Sequence, residues 1–155
     1  MIINYELLSA LAAMILAQVI KLILDYFLDG KINLGLLMST GGMPSSHTAL
    51  TAALSTAIGI NYGFASPFFS ISIVLTLIVA HDAAGVRWQA GKHASEINKI
   101  REDLTKLVQA ISTNEPPLKN RKELKELLGH RPLEVILGGI TGVIVAIIIS
   151  TIFVF

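Results

Sequence analysis

The sequence predicts an all-α protein: a polytopic membrane helix bundle of about four membrane helices with a cytoplasmic amphipathic helix. Three features carry that prediction. Apolar residues make up 53% of the 155-residue chain and charged residues only 15%, with a mean hydropathy of +0.67, a balance foreign to a soluble surface. Residues 48–80 and 135–155 hold no charge at all, and residues 7–28 are broken chiefly by Gln18, Lys21 and Asp25. Of the 12 Lys and Arg residues, all but Lys21 and Lys31 fall between residues 81 and 131. A hydrocarbon core of about 30 Å takes roughly 20 helical residues, and its backbone must be hydrogen-bonded internally.

The first element is a span over about 6–28. It lacks the basic start and small-residue cleavage site of a signal peptide, so it is expected to stay attached. The second uncharged tract is too long for one helix. Its Gly59-Ile60-Asn61-Tyr62-Gly63 stretch, followed by Ser66-Pro67, has the residues of a hairpin. It therefore divides into spans of about 46–60 and 64–82. The first of these is short for a full crossing and is expected to tilt, thin the bilayer or lie partly against protein. A helical segment over 83–131 follows, and its concentration of Lys and Arg assigns it to the cytoplasm. Within it Ile97, Ile100, Leu104, Leu107 and Ile111 recur at alternating three- and four-residue steps. That stripe suits a helix lying on the membrane or on its own protein, or a two-heptad seam of a homodimer through residues 97–111. The last span covers about 133–154. The whole of 1–155 is read as a single membrane-embedded domain with both termini outside and its polar motifs on one face.

Composition also excludes several chemistries. With a formal net charge of +1 the chain has no nucleic-acid footprint, and with no cysteine it has no disulfide, thiolate nucleophile or Cys-ligated zinc. His81, Asp82 and His93 match no metal-ligand spacing, so no metal is assigned.

Two strings can carry chemistry. In Gly41-Gly42-Met43-Pro44-Ser45-Ser46-His47-Thr48, glycines free the backbone for close approach, Pro44 suits a helix entrance, and Ser45 or Ser46 can cap the helix that follows. The free amides of such a helix start, with the serine hydroxyls and His47, make an anion site; the plain alternative is a capped helix with a polar first turn. In Leu128-Gly129-His130-Arg131-Pro132-Leu133-Glu134, His130 and Glu134 are four residues apart, so the carboxylate can orient the imidazole and leave one ring nitrogen free to attack. The plain alternative is an acidic first turn beside an interfacial histidine. A third string, His81 to His93, offers Arg87 and Lys92 as phosphate-gripping cations, or Asp82 paired with Arg87, and Trp88 as an interfacial anchor.

Taken together these strings resemble the divergent branch of the type 2 phosphatidic acid phosphatase superfamily, which is related to acid phosphatases and vanadium-dependent haloperoxidases. The landmarks are Ala17-Gln18 with Lys21, Gly41 to His47, Asp82 with Gly85-Val86-Arg87 and Ala90-Gly91, and Leu128-Gly129-His130 with Pro132, Glu134, Val135 and Gly138. The resemblance implies a metal-independent lipid phosphatase needing no cofactor. It makes His130 the nucleophile that forms a phosphohistidine and His47 the leaving-group acid. Glu134, Gly138 and Gly142 stand where the superfamily has an aspartate and glycines. Leu124 stands where it has an arginine six residues before the nucleophile, and its lysine motif with Arg-Pro has no counterpart upstream of Pro44. Arg87, Lys92 or Lys21 is expected to replace the missing cations, beside Ser45, Ser46 and Gly42 on the phosphate. The expected partners are a phosphorylated lipid and the membrane, with the active face cytoplasmic, in the cell membrane. Two rivals remain: a non-catalytic protein that binds or moves a phosphorylated lipid, and a metal-dependent alcohol phosphotransferase suggested by Asp82, Gly85 and Arg87, for which further acidic residues at helical spacing are missing.

Overall fold

The computed structural model describes residues 4–30, 35, 42–111 and 131–153, all of whose regular structure is helical. Five helices follow in order: α1 Tyr5–Asp29, α2 Ser46–Tyr62, α3 Pro67–Ala84, α4 Val86–Ile111 and α5 Pro132–Phe153. Local signals set their ends. Asn4 accepts from the Leu7 amide at 2.8 Å to start α1, and Gly30, in the left-handed region at φ 67°, ends it by donating to the Tyr26 carbonyl. Ser66 caps α3 just ahead of Pro67, whose missing N–H is no loss in a first turn.

Among the described residues three helical stretches are long and apolar enough to cross a membrane: α1, α3 together with its continuation into α4 (Pro67–Val108), and α5. The fourth member of the bundle, α2, has 17 residues, about 25 Å at 1.5 Å per residue. It is also the most enclosed. Ser46, Thr48, Ala49, Thr51, Ala52, Ala53, Ser55, Ala57 and Gly59 are all buried in it, and it packs against α1, α3 and α5. The core is made of small residues: Ala13 and Ala17 of α1, Ala49, Ala53 and Ala57 of α2, Val145 and Ala146 of α5, closed at one end by Tyr5. Large apolar side chains point the other way, as Ile15, Phe27, Ile71 and Ile152 do. Lipid is as apolar as leucine, so close backbone approach rather than apolar burial holds such helices together.

The expected hairpin between the second and third helices differs in detail. Helix α2 runs through Gly59 to Tyr62, and the turn is Gly63 to Ser66, with Gly63 at φ 86°. Gly59 serves packing instead: a methyl group there would meet the Phe64 and Phe69 rings, which stack edge to face at 5.1 Å over the helix. The two helices are tied by hydroxyls. Thr76 of α3 bonds Ser55 at 2.8 Å and donates to the Thr51 carbonyl at 3.0 Å, all buried.

Gly85 separates α3 from α4 and donates to the His81 carbonyl at 2.8 Å. Helix α4 packs chiefly against α3. Its apolar stripe, Ile97, Ile100, Leu104, Leu107 and Ile111, is at least half exposed throughout, so it does not lie on the described part of its own chain.

Candidate functional site

Contacts along α2 define the direction of every neighbour. Tyr5 of α1 donates to the Ala57 carbonyl, and Asn61 donates to Glu6, so the start of α1 lies beside the end of α2. The later part of α1 returns at the start of α2, where Lys21 lies against Gly42. Helix α5 instead runs parallel to α2. The Ser45 amide donates to the Glu134 carbonyl at 2.9 Å, Gly138 lies against the Ser45 carbonyl, and Gly142 against the Ala49 carbonyl and Ala53 amide. A methyl group at Gly138 or Gly142 would overlap those backbone oxygens. The four-residue step between the two glycines is the small-residue spacing that lets membrane helices touch backbone to backbone.

The consequence is electrostatic. Two helices present their N-termini at one end of the bundle, each carrying about half a positive charge on its unpaired amides. Ser45 caps α2, and nearly all its capacity is used. Its Oγ accepts from the Thr48 amide at 3.4 Å and the Thr48 hydroxyl at 3.0 Å, while its carbonyl accepts from Ala49 at 3.0 Å. Only its hydroxyl proton is left to offer elsewhere. Thr48 was not evident in the sequence as a site residue; the signal was the Ser/Thr pair three apart at a helix entrance. Ser46 is buried beside Ser45, and His47, next on the helix, is exposed.

Lys21 completes this end. It is 3% exposed, although it stands in a span. Its outer methylenes run beneath Gly42, so that a methyl group on Gly42 would sit 3.3 to 3.6 Å from its Cδ, Cγ and Cε. Gly42 has φ 92°, a conformation that other residues resist, so the turn favours glycine there, and the lysine stem passes close against it. The Lys21 Nζ is buried and has no hydrogen-bond partner among the described residues. The carboxylate whose charge acts on it is Glu134, half-buried in the first turn of α5.

The expected site residues thus divide. Lys21, Gly42, Ser45, Ser46 and Glu134 come together where α1, α2 and α5 meet, with His47 on the first turn of α2. Lys92 does not join them: it is exposed on α4, with Nζ 5.2 Å above the Trp88 ring. The Arg87 side chain and the whole of His130 lie outside the described residues. Arg131, at the lead-in to α5, accepts from the Glu134 amide at 2.9 Å.

Residues 2–145 match the sequence profile of the Divergent PAP2 family. The chain belongs to this family. A relative is the uncharacterized membrane protein YuiD of Bacillus subtilis (strain 168), 41% identical over 152 residues that cover 97% of this chain and 96% of YuiD. No solved structure matches. This divergent PAP2 chain is therefore a membrane protein, its three long apolar helices and its relative agreeing on the point. Gly138 and Gly142 are points of backbone contact between α2 and α5.

Proposed function

We propose that this chain is a metal-independent phosphatase embedded in the cell membrane that hydrolyses a lipid phosphate or diphosphate at the cytoplasmic face. The observation that carries the reading is the hydrogen bond from the Ser45 amide to the Glu134 carbonyl. It joins the two strings from which the family resemblance draws its acid and its nucleophile. The concentration of Lys and Arg in residues 81–131 supports the cytoplasmic assignment of that end.

In the proposed reaction an imidazole nitrogen of His130, oriented by the Glu134 carboxylate, attacks phosphorus. The bond from phosphorus to the lipid oxygen breaks, and His47 gives that oxygen its proton. The helix-start amides, the Ser45 and Ser46 hydroxyls and a cation drawn from Lys21, Arg87 and Lys92 stabilise the three equatorial oxygens. Water, deprotonated by the now neutral His47, then attacks the phosphohistidine, releases phosphate and restores both imidazoles. The test is phosphate release from a panel of lipid monophosphates and diphosphates by purified protein, wild type and His130→Ala in parallel. Loss of release in the variant is expected. Binding of the lipids without release by the wild type favours the rival, a protein that binds or moves a phosphorylated lipid, for which the missing superfamily arginines speak.

A further inference from the structure

Where α1, α2 and α5 meet, a buried ammonium stands beside the starts of two helices, each worth about half a positive charge on its first-turn amides. Glu134, in the first turn of α5, is the acidic side chain there. Lys21 lies well short of the end of its own helix, beyond the last turn that the negative end of that dipole serves; it is 3% exposed, and among the described residues its Nζ has no hydrogen bond. An ordinary lysine in a span extends its stem to reach water. This one is instead held under Gly42, whose left-handed backbone and missing side chain make room for its methylenes.

We infer that Lys21 is the cation that holds the ligand's phosphate, as a tetrahedral oxyanion seated between the starts of α2 and α5. This rests on the reading above that the site takes a phosphorylated ligand. It goes further by choosing between the two lysines. Lys92 is exposed on a helix that packs chiefly against α3, and its ammonium lies over Trp88. Lys21 belongs to α1, which contacts both α2 and α5. A compact ammonium suits this place, because it can donate to up to three oxygens from below while the amides donate from the side. The inference also gives Gly42 a role in binding: it positions the lysine.

The test uses full-length protein in detergent, with the midpoint of thermal unfolding followed during titration with orthophosphate, orthovanadate or short-chain phosphatidic acid. Ligands that bind the folded state raise that midpoint. Wild type, Lys21→Met, Lys92→Met and Glu134→Gln are compared. Lys21→Met is expected to need at least tenfold more ligand for the same rise, and Lys92→Met to follow the wild type. Glu134→Gln is expected to need less ligand than the wild type, because it removes a negative charge facing the anion. A Lys21 that served only as an ion-pair partner of Glu134 would leave ligand affinity unmoved in Lys21→Met, and that result overturns the inference while the phosphatase reading stands. If Lys21→Met does not fold, Lys21→Gln is read in its place, and ligand affinity unchanged from the wild type in that variant overturns the inference. No response of the wild type to any of the three ligands overturns both readings. A response to phosphatidic acid alone, lost in Lys21→Met, upholds Lys21 and makes the lipid headgroup the source of the phosphate. A response to the inorganic anions as well, equally lost, upholds it for free phosphate too.

Discussion

The two ends of the α1–α2 pair are built from the same helices and treat a buried charge in opposite ways. At one end Glu6 is 7% exposed and receives a hydrogen bond from Asn61, while the neighbouring Tyr5 hydroxyl donates to the Ala57 carbonyl. Every group there is answered by the chain. At the other end Lys21 is as deeply buried, yet among the described residues its ammonium has no hydrogen-bond partner. Taking an ion out of water costs several kcal/mol unless a counter-charge and hydrogen bonds replace the solvent. A protein that satisfies one end so fully has the means to satisfy the other. The contrast sets the Glu6 end apart as a strut, and it is the ground for the anion site proposed at the Lys21 end.

The largest effect expected is at His130. Its replacement by alanine abolishes phosphate release from any lipid phosphate the wild type hydrolyses, measured as turnover of purified protein; full activity in the variant breaks the assignment of the motif end as catalytic. His47→Ala comes next, with a fall in turnover of roughly 10²- to 10⁴-fold, the usual weight of general acid catalysis. Its unfolding midpoint should be unchanged, since the imidazole is exposed.

Gly142→Leu should act through the fold instead. A side chain there meets the Ala49 carbonyl, and overpacking of a tight contact typically costs about 1–3 kcal/mol. Thermal unfolding should show that loss, and turnover should fall with it, because α5 carries Glu134 to Ser45. At the far end Asn61→Ala leaves the buried Glu6 without its hydrogen bond, a change of about 1–3 kcal/mol in stability. Turnover per folded molecule should be untouched, and a drop as large as that of His47→Ala would erase the distinction between strut and site.

The smallest effect lies on α4. Lys106 donates to Glu102 one turn away at 2.8 Å and holds its carboxyl below the ordinary carboxylate value. The stabilisation of the helix is therefore present above the ordinary carboxylate value and is lost as pH falls through the lowered one. The protection of α4 amides, measured relative to their intrinsic exchange rates, should fall over that acid range in the wild type and lose this dependence in Glu102→Gln.

Much of the fold was legible in advance because a membrane span writes itself in one dimension, as length without charge. The starts of α3 and α5 were marked by Ser66-Pro67 and Pro132, and the cap of α2 by Ser45. The split expected within the Gly59 to Gly63 stretch falls at its far end, after Tyr62, and Gly59 stays helical for a physical reason: it admits two phenyl rings from the following turn and helix. The site was less legible. Lys21 stood out as a cation in a span, but whether it reached for water or turned inward depended on Gly42, twenty-one positions later. Likewise the pairing of Ser45 with Glu134 arises from parallel packing that Gly138 and Gly142 permit, and no local pattern in either string announces it.

The small-residue makeup of α2 has a consequence for biosynthesis. With 17 residues and a face of serine, threonine, alanine and glycine, it offers lipid little to favour its entry alone. The strongly apolar α3, joined to it by the short turn Gly63–Ser66 and bonded to it through Thr76, Ser55 and the Thr51 carbonyl, is the natural chaperone. The two should leave the translocon as one hairpin, so that a chain truncated before Pro67 would leave α2 unable to hold its place in the bilayer.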